Sequence, residues 1–483
     1  MSIPEHKSIG HAAARGAAAM AVRQVLGSGI SICGSIVLAR ILSPTDYGVF
    51  AIVTFFVSLF GLISDVGLGA SLIRQQETPD PKDVAAIFTF QQLMMFVFIA
   101  GIWIASPWIS SAYSLNTAQT WMIRIMPLNL LWASFQSFAN ISLERKLHFP
   151  ALARIEITQT ICYNGLAVAL AVLDFGAWAF VAATLVRTII GATGSIWLSR
   201  WKPTWNTEFY RLKGRLRFGL MYQGASTLSW IKDAIIPTLI GMYVGAEGVG
   251  YVGWANSLAV WGVLALQPLS RVYFPVFSRL QSDSQALGRF LERILCWANR
   301  IVAPVSLGVL AVAPTLVHVV YTDKWLPALP LMYLLSFANA FAASGGPCMS
   351  LLNAIGKSGW NLAMTAIWMA MTWIVGMIAI PKYGILGFGI ANIATSLTGV
   401  IPLFLAYKHA PFHFLSPILV PWGIAGGCAL PIGYLVRSGW FGDGIPSLAI
   451  PVAIFATSYL VASFSLFHRS ILRDIELVRK QRT

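Results

Sequence analysis

The sequence predicts an all-α, polytopic membrane protein with about 14 transmembrane helices: two pseudo-symmetric six-helix halves followed by two C-terminal helices. Three observations predict this class: the composition, the recurrence of long apolar runs, and the placement of the basic residues. Of the 483 residues, 57% are hydrophobic and 11% are charged. Soluble domains carry about 25% charged residues, so the composition excludes a soluble globular protein.

Apolar runs of the length that crosses a bilayer recur from one end of the chain to the other. A spanning helix needs about 20 mostly apolar residues, and backbone groups in lipid must be bonded internally, so each run is predicted to be a helix. The period-two alternation of an outer-membrane barrel is not present. The predicted spans are 16–39, 47–69, 84–106, 119–140, 151–173, 175–197, 218–242, 248–275, 294–315, 327–350, 359–380, 384–407, 415–436 and 446–467.

The lysines and arginines of the predicted loops favour one orientation. With the N-terminus inside, 22 of the 33 basic residues fall in cytoplasmic segments, 4 in the opposite loops and 7 within spans. This asymmetry is the positive-inside bias, and it predicts that both termini are cytoplasmic. The first apolar run is too long for the apolar region of a signal peptide, so it is predicted to be a retained helix.

The sequence shows no pattern typical of nucleic-acid binding, metal or redox sites, or catalysis. The net charge of +15 comes from short loops between apolar spans and not from one basic domain, so no nucleic acid is expected as a partner. The 5 cysteines all lie in apolar runs without metal-ligand or redox spacing, so no disulfide, metal or cofactor is predicted. Neither HExxH nor GxSxG occurs, and no catalytic residue is predicted.

Two pairs of segments suggest an internal repeat. LSPTDYGVFAIV (42–53) matches VGAEGVGYVGWA (244–255), which aligns Gly48 with Gly250. FGAWAFVAATLVR (175–187) matches YGILGFGIANIAT (383–395) in the same order and at nearly the same offset. Two similar helical bundles around a central cavity are a common design for alternating access. The predicted division is an N-terminal half (1–198), a basic amphipathic cytoplasmic linker (199–217), a C-terminal half (218–408), and two extra helices with a basic tail (409–483).

Two segments carry a resemblance to a known family. ARILSPTDYGVFAIVTFFVSLFGLISDVGLGASLIRQQE (39–77) and QPLSRVYFPVFSRLQSD (267–283) resemble bacterial polysaccharide flippases, which handle O-antigen or exopolysaccharide units. These flippases belong to the multidrug/oligosaccharidyl-lipid/polysaccharide exporter superfamily. The resemblance extends over the whole chain in length and in the number of spans.

The resemblance implies a function and a location. Such proteins lie in the bacterial inner membrane and move an undecaprenyl-pyrophosphate-linked oligosaccharide from the cytoplasmic to the periplasmic leaflet by alternating access. The implied driving force is a gradient of H⁺ or Na⁺; the chain has no GxxxxGK[ST] loop for ATP. The implied partners are the lipid-linked oligosaccharide, membrane lipids, and the polysaccharide polymerase and export machinery. Enzymatic activity is not implied.

Basic side chains inside the spans indicate where an anionic substrate would bind. An ionisable group in the hydrocarbon region is costly, so it normally faces a partner or a wet cavity. Arginine offers two parallel donors to a phosphate, and lysine offers a point charge. The predicted substrate-binding residues are Arg23, Lys232, Arg187 and Arg124. The alternatives are that Arg23 extends to the cytoplasmic surface and that Lys232 is neutralised by Asp233.

The acidic residues of the spans are assigned other roles. Asp233 and Asp65 are the candidates for ion coupling or gating, with an ion pair to Arg74 as the alternative for Asp65. Arg154 and Glu156 open the fifth predicted span, where a position at the membrane interface is expected.

Three alternative functions are consistent with a membrane protein of this size. A drug or lipid-precursor exporter of the same superfamily would share the fold, but a pump for cationic drugs would favour carboxylates in its cavity. A membrane-embedded polysaccharide polymerase or acyltransferase would normally have a large outward loop, and the outward loops here are short. A scaffolding protein would not need charges within the membrane.

Overall fold

The computed structural model describes residues 6–64, 80–145, 148–212, 227–228, 230–442 and 444–480. Within these ranges the chain is helical and contains no β-strand. The chain divides into two compact units, Met1–Gly250 and Tyr251–Thr483. The predicted all-α membrane fold is confirmed, whereas the predicted domain boundaries remain a prediction.

The described part of the first unit contains seven α-helices before residue 200. A π-helical turn, Ile236–Ile240, and one α-helical turn, Gly241–Tyr243, follow much later in the chain. In the π-turn the Gly241 N–H donates to the Ile236 carbonyl, five residues earlier. The seven helices are α1 (His6–Ile41), α2 (Pro44–Ser64), α3 (Pro81–Ala112), α4 (Thr117–Ile125), α5 (Leu128–Arg145), α6 (Phe149–Val172) and α7 (Trp178–Ser199).

The helices of the second unit follow one another with short connections. Helix α8 begins in the first unit and ends in the second, and a π-turn (Val317–Tyr321) and a 3₁₀ segment (Asp323–Ala328) separate α11 from α12. The helices are α8 (Gly245–Ala259), α9 (Trp261–Leu264), α10 (Gln267–Leu280), α11 (Ser284–Leu316), α12 (Leu329–Ala354), α13 (Gly359–Tyr383), α14 (Ile385–Leu397), α15 (Val400–His409), α16 (Leu415–Arg437) and α17 (Pro446–Lys480).

Side-chain caps fix the start of several helices. The Asp80 carboxylate accepts from the Lys82 N–H at 3.0 Å ahead of α3, and Pro81 occupies the first turn. Asn116 and Gln119 form a reciprocal capping box at α4. Such caps bond N–H groups that the first helical turn leaves without intrahelical partners.

The number of spans is smaller than predicted within the described residues. Ten helical segments are long and apolar enough to cross a membrane there, so the predicted count of 14 is not confirmed. The four missing spans have separate reasons. The second is described only to Ser64 and the seventh lies partly outside the described residues, while the fourth breaks between α4 and α5 and the eighth divides into α8, α9 and α10.

Helix α6 lies between α1 and α7 in the first unit. Small residues permit this packing: Ala167 and Ala171 of α6 are fully buried against Leu38 of α1 and Phe180 of α7. At Gly34 of α1 an added Cβ would overlap the side chain of Asn164. Close approach of helices through small residues is the usual mode of packing in membranes. It brings the polar face of α6 against α1.

Two glycines let α2 and α8 touch through their backbones. A Cβ on Gly48 would overlap the carbonyl oxygen of Ala246, and a Cβ on Gly250 would overlap the carbonyl oxygen of Pro44. These are the glycines that the internal repeat aligns, and each faces the backbone of the other helix. No side chain fits between the two segments.

The predicted linker follows α7 without forming a helix before residue 209. Asn206 holds it to α3, since its N–H donates to Thr89 Oγ1 at 2.9 Å. Trp201 packs against Phe88 and Phe138. Trp205 and Tyr210 remain 62% and 72% exposed, which leaves aromatic rings available to a membrane surface.

A buried polar cluster joins three helices of the second unit. Asn299 of α11 is fully buried, and its amide nitrogen donates to the Leu295 carbonyl at 2.8 Å and to Ser344 Oγ of α12 at 3.3 Å. The Trp422 ring N–H of α16 donates to the Asn299 amide oxygen at 2.9 Å. A buried amide bonded on both sides fixes the alignment of its neighbours.

Replacing Asn299 by leucine is expected to destabilise the protein by about 1–3 kcal/mol, because the Trp422 N–H and the Ser344 hydroxyl lose their partner away from water. The measurement is denaturant unfolding of the purified protein in detergent. Thr457→Ala is the matched control, since its hydroxyl bonds only within its own exposed helix. Equal midpoints for N299L and wild type would contradict the assignment.

Candidate functional site

A cavity of about 300 Å³ opens between α1, α6 and α7 in the first unit. Its wall includes two of the predicted substrate-binding residues, Arg23 and Arg187, together with Glu156. Hydroxyl groups of Ser28, Ser31 and Thr160 also line it. The wall therefore combines two cations, one anion and neutral hydrogen-bonding groups.

Arg23 of α1 is already engaged on one side. Its Nη1 forms an ion pair with Glu156 Oε2, and its Nη2 donates to Gln24 Oε1 at 3.3 Å. Its third donor, Nε, is buried and has no hydrogen-bond partner among the described residues. The guanidinium therefore keeps one N–H that could donate to a further anionic oxygen.

Arg187 of α7 presents its guanidinium more openly. The residue is exposed, and its Cζ lies 5.6 Å from the centroid of the Tyr163 ring. Among the residues that the structure describes, it forms no ion pair with a carboxylate. Its charge is therefore not neutralised by a neighbour within that part of the chain.

The backbone that carries Arg187 is held in place by an amide pair. Gln159 of α6 is buried, and its Nε2 donates to the Arg187 carbonyl at 3.0 Å and to Gln136 Oε1 at 3.2 Å. Gly191 leaves the space for these amides, because a Cβ there would overlap both. The position of the guanidinium along α7 is thus set by α5 and α6.

Lys232 and Asp233 form a pair with each other. The Lys232 Nζ lies 2.5 Å from Asp233 Oδ1, and the two side chains are 34% and 68% exposed. Neighbouring side chains on a helix point about 100° apart, so this pair requires the long lysine chain to bend back. Neither residue lines the cavity of Arg23 and Arg187. Their predicted roles in binding and ion coupling remain predictions.

Arg124 of α4 occupies a separate aromatic cluster. Its Nε donates to Ser106 Oγ at 2.8 Å, and its Cζ lies 5.1 Å and 5.8 Å from the ring centroids of Trp121 and Trp103. It does not line the cavity, and its predicted contact with substrate remains a prediction. Asp65, the other gating candidate, lies outside the described residues.

Sequence reasoning missed the part that Glu156 plays. Its expected position at the membrane interface remains a prediction, and the structure places its carboxylate on Arg23 in the cavity wall. A usable signal was present: Glu156, Gln159 and Thr160 recur at helical spacing within a mainly apolar run, which predicts one polar face. Arg154 lies apart from this cavity and donates to its own helix, to the Pro150 carbonyl at 3.4 Å.

The second unit contains an apolar groove of about 400 Å³. Phe337 and Phe341 of α12, Val400 of α15 and Leu419 and Trp422 of α16 line it. The groove lies beside the Asn299 cluster and offers almost no polar group. An apolar chain suits such a surface, and an ion does not.

Comparisons with known proteins identify the family. A family model described as polysaccharide biosynthesis protein matches residues 37–330. The succinoglycan biosynthesis transport protein ExoT of Rhizobium meliloti is 23% identical over 463 residues, with 92% of each chain covered. The teichuronic acid biosynthesis protein TuaB of Bacillus subtilis is 21% identical over 367 residues, covering 75% of this chain and 72% of TuaB. The lipopolysaccharide biosynthesis protein WzxC of Escherichia coli is 22% identical over 346 residues, covering 70% and 69%.

Solved structures show the same fold. The lipid II flippase MurJ in an inward closed conformation matches with a TM-score of 0.75 at 15% identity, covering 94% of this chain and 99% of MurJ. An inward-facing multidrug resistance MATE family transporter of the MOP superfamily matches with a TM-score of 0.58 at 16% identity, covering 79% and 95%. The chain is therefore a multi-pass membrane protein of the polysaccharide biosynthesis protein family, and the predicted resemblance to bacterial polysaccharide flippases is confirmed.

Proposed function

We propose that this protein moves an anionic, lipid-linked oligosaccharide from the cytoplasmic to the periplasmic leaflet of the bacterial inner membrane. The observation that carries the proposal is the cavity whose described wall includes Arg23, Arg187 and one carboxylate, Glu156, which is paired with Arg23. Two cations in one wall inside the apolar helices of a membrane protein are costly unless an anion visits them. A pyrophosphate linker supplies that anion.

The side chains of the cavity wall suit both the phosphate groups and the sugar hydroxyls of a phosphorylated carbohydrate. The guanidinium groups match phosphate oxygens as paired donors. The hydroxyls of Ser28 and Ser31 and the amide of Gln24 can exchange hydrogen bonds with sugar hydroxyls or phosphate oxygens. A pump for cationic drugs would need free carboxylates, and Glu156 is already paired with Arg23.

The lipid part of the substrate requires an apolar surface. The groove of the second unit lined by Phe337, Phe341, Val400 and Leu419 suits a hydrocarbon chain, because aromatic rings and aliphatic side chains make up most of its wall. Undecaprenol is the carrier that we propose, and alternating access driven by H⁺ or Na⁺ is the mechanism. The relatives named for succinoglycan transport and for teichuronic acid and lipopolysaccharide biosynthesis support a glycan as the cargo.

The test is deletion of the gene followed by analysis of the lipid-linked glycans of the inner membrane. We expect a glycan repeat unit on its polyprenyl pyrophosphate carrier to accumulate on the cytoplasmic leaflet, with loss of the surface polysaccharide. A plasmid copy of the wild-type gene should reverse both changes. If the glycan accumulates on the periplasmic leaflet instead, the defect lies after transport and the proposal is wrong.

A further inference from the structure

The cavity contains an anion of its own. Arg23 and Arg187 contribute two positive charges and Glu156 contributes one negative charge, so the wall carries a net charge of about +1 while the carboxylate is ionised. Glu156 occupies one side of the Arg23 guanidinium, where a ligand oxygen would otherwise bind. An external anion therefore finds one side of the Arg23 guanidinium already occupied by Glu156.

The charge of the ligand decides what happens to this pair. A singly charged anion could bind to Arg187 and leave the Arg23–Glu156 pair intact. A pyrophosphate that links a lipid to a sugar carries two negative charges, which match the two arginines but exceed the net charge of about +1 that remains while Glu156 is ionised and paired. The carboxylate must then leave Arg23, because like charges in a confined space repel.

We propose that Glu156 is an internal competitor for Arg23, which the pyrophosphate displaces on binding and which re-forms its ion pair when the substrate leaves. This inference rests on the proposed function and assigns Glu156 the role of setting affinity and release. The free, buried Nε of Arg23 supports it, since the guanidinium retains a donor aimed at no partner of the described chain. This donor would gain a partner if the guanidinium turned toward an incoming oxygen.

Neighbouring charged groups do not change this assignment within the described residues. Helices α1, α5 and α7 pack against α6, and of their charged side chains only Arg23 and Arg187 line the cavity with Glu156. The other charged side chains described on these helices, from residue 22 onward, are Arg40, Glu144, Arg145 and Arg154, and none of them lines the cavity. The competition therefore involves one carboxylate and two guanidinium groups.

A purely structural role would have a different consequence. The Arg23 and Glu156 side chains are 27% and 38% exposed, and ion pairs that water reaches contribute little to stability. Removing the carboxylate should leave the fold intact, because Arg23 still faces a wet cavity. Binding and release, not folding, should respond to the change.

The experiment measures pyrophosphate binding by calorimetry on the full chain in lipid nanodiscs. We expect Glu156→Gln to bind inorganic pyrophosphate about tenfold more tightly than wild type, because the competing charge is gone while the side chain keeps its size. Farnesyl pyrophosphate should show the same gain in affinity, because Glu156 acts only on the anionic group of the ligand. Asp174→Asn, which removes a carboxylate from the exposed turn after α6, should leave both affinities unchanged.

A second background separates competition from a general charge effect. In Arg23→Gln, the change at Glu156 should no longer strengthen binding, because there is no guanidinium left to compete for. In cells, E156Q should export glycan more slowly than wild type at equal abundance, because release loses the returning carboxylate. Unchanged affinity in E156Q, an equal gain in the R23Q background, or a gain confined to the farnesyl probe would each overturn the inference.

The transport experiment and the binding experiment test the proposed cargo and the role of Glu156 independently. If the deletion strain shows no accumulated lipid-linked glycan while E156Q still binds pyrophosphate more tightly, the proposed cargo is wrong and the competition is right. If the glycan accumulates but E156Q binds like wild type, the cargo stands and the role of Glu156 is refuted.

Discussion

Replacing Arg23 and Arg187 together by glutamine is expected to reduce glycan export below detection. Each position would lose charge-assisted hydrogen bonds to the pyrophosphate of the proposed substrate, worth about 1.5–3 kcal/mol apiece. The two losses together correspond to about a 10²–10⁴-fold weaker interaction. The measurement is the amount of surface polysaccharide and of accumulated lipid-linked glycan in a deletion strain that expresses the variant.

The controls separate binding from folding. Arg154→Gln removes one arginine from the same three-helix packing but from outside the cavity, so it should export normally. Because R23Q leaves Glu156 without its partner, a triple variant that also carries E156Q should restore any lost abundance without restoring export. Wild-type export by the double variant at equal abundance would show that this cavity is not the binding site.

Replacing Gly250 by alanine is expected to destabilise the protein by about 2–4 kcal/mol and to reduce its abundance in the membrane strongly. The added methyl group would overlap the carbonyl oxygen of Pro44, which belongs to backbone and cannot rotate away. Relief requires α2 and α8 to move apart. Overlaps of this kind are among the few causes of large effects from one small substitution.

The matched control lies on the same helix. Gly253→Ala places the same methyl group where nothing lies within 4 Å, so its abundance and unfolding midpoint should match or exceed those of wild type. The measurement is fluorescence-detected chromatography of tagged protein with thermal unfolding in detergent. If G250A and G253A behave alike, the backbone contact between α2 and α8 does not govern stability.

The fold was predictable because the hydropathy of a segment indicates directly whether that segment is stable in the bilayer. Where the structure describes them, the 14 apolar runs are mostly helical, yet length alone could not reveal the internal breaks. Pro127 lies at the break between α4 and α5, and Pro268 lies in the first turn of α10. A proline within a span can either bend or interrupt the helix, and tertiary packing decides which of the two occurs.

The candidate site was predictable only in part. The free-energy cost of placing a charge in the hydrocarbon region indicated that Arg23 and Arg187 need a polar environment, and both line one cavity. Sequence could not show that α6 lies between α1 and α7, so the pairing of Arg23 with Glu156 was out of reach. It also could not separate Arg124 from this group, because its aromatic surroundings arise from α3 as well as from its own helix.

The π-helical turn at Ile236–Ile240 changes which residues before and after it share one face of the helix. The Gly241 N–H reaches back five residues instead of four, so the turn holds one residue more than its α-helical counterpart. One surplus residue shifts the angular phase by about 100°. A single helical wheel drawn through Lys232 and Tyr243 would therefore assign one of them to the wrong side. Variants designed on this stretch need two wheels, one for each side of the turn.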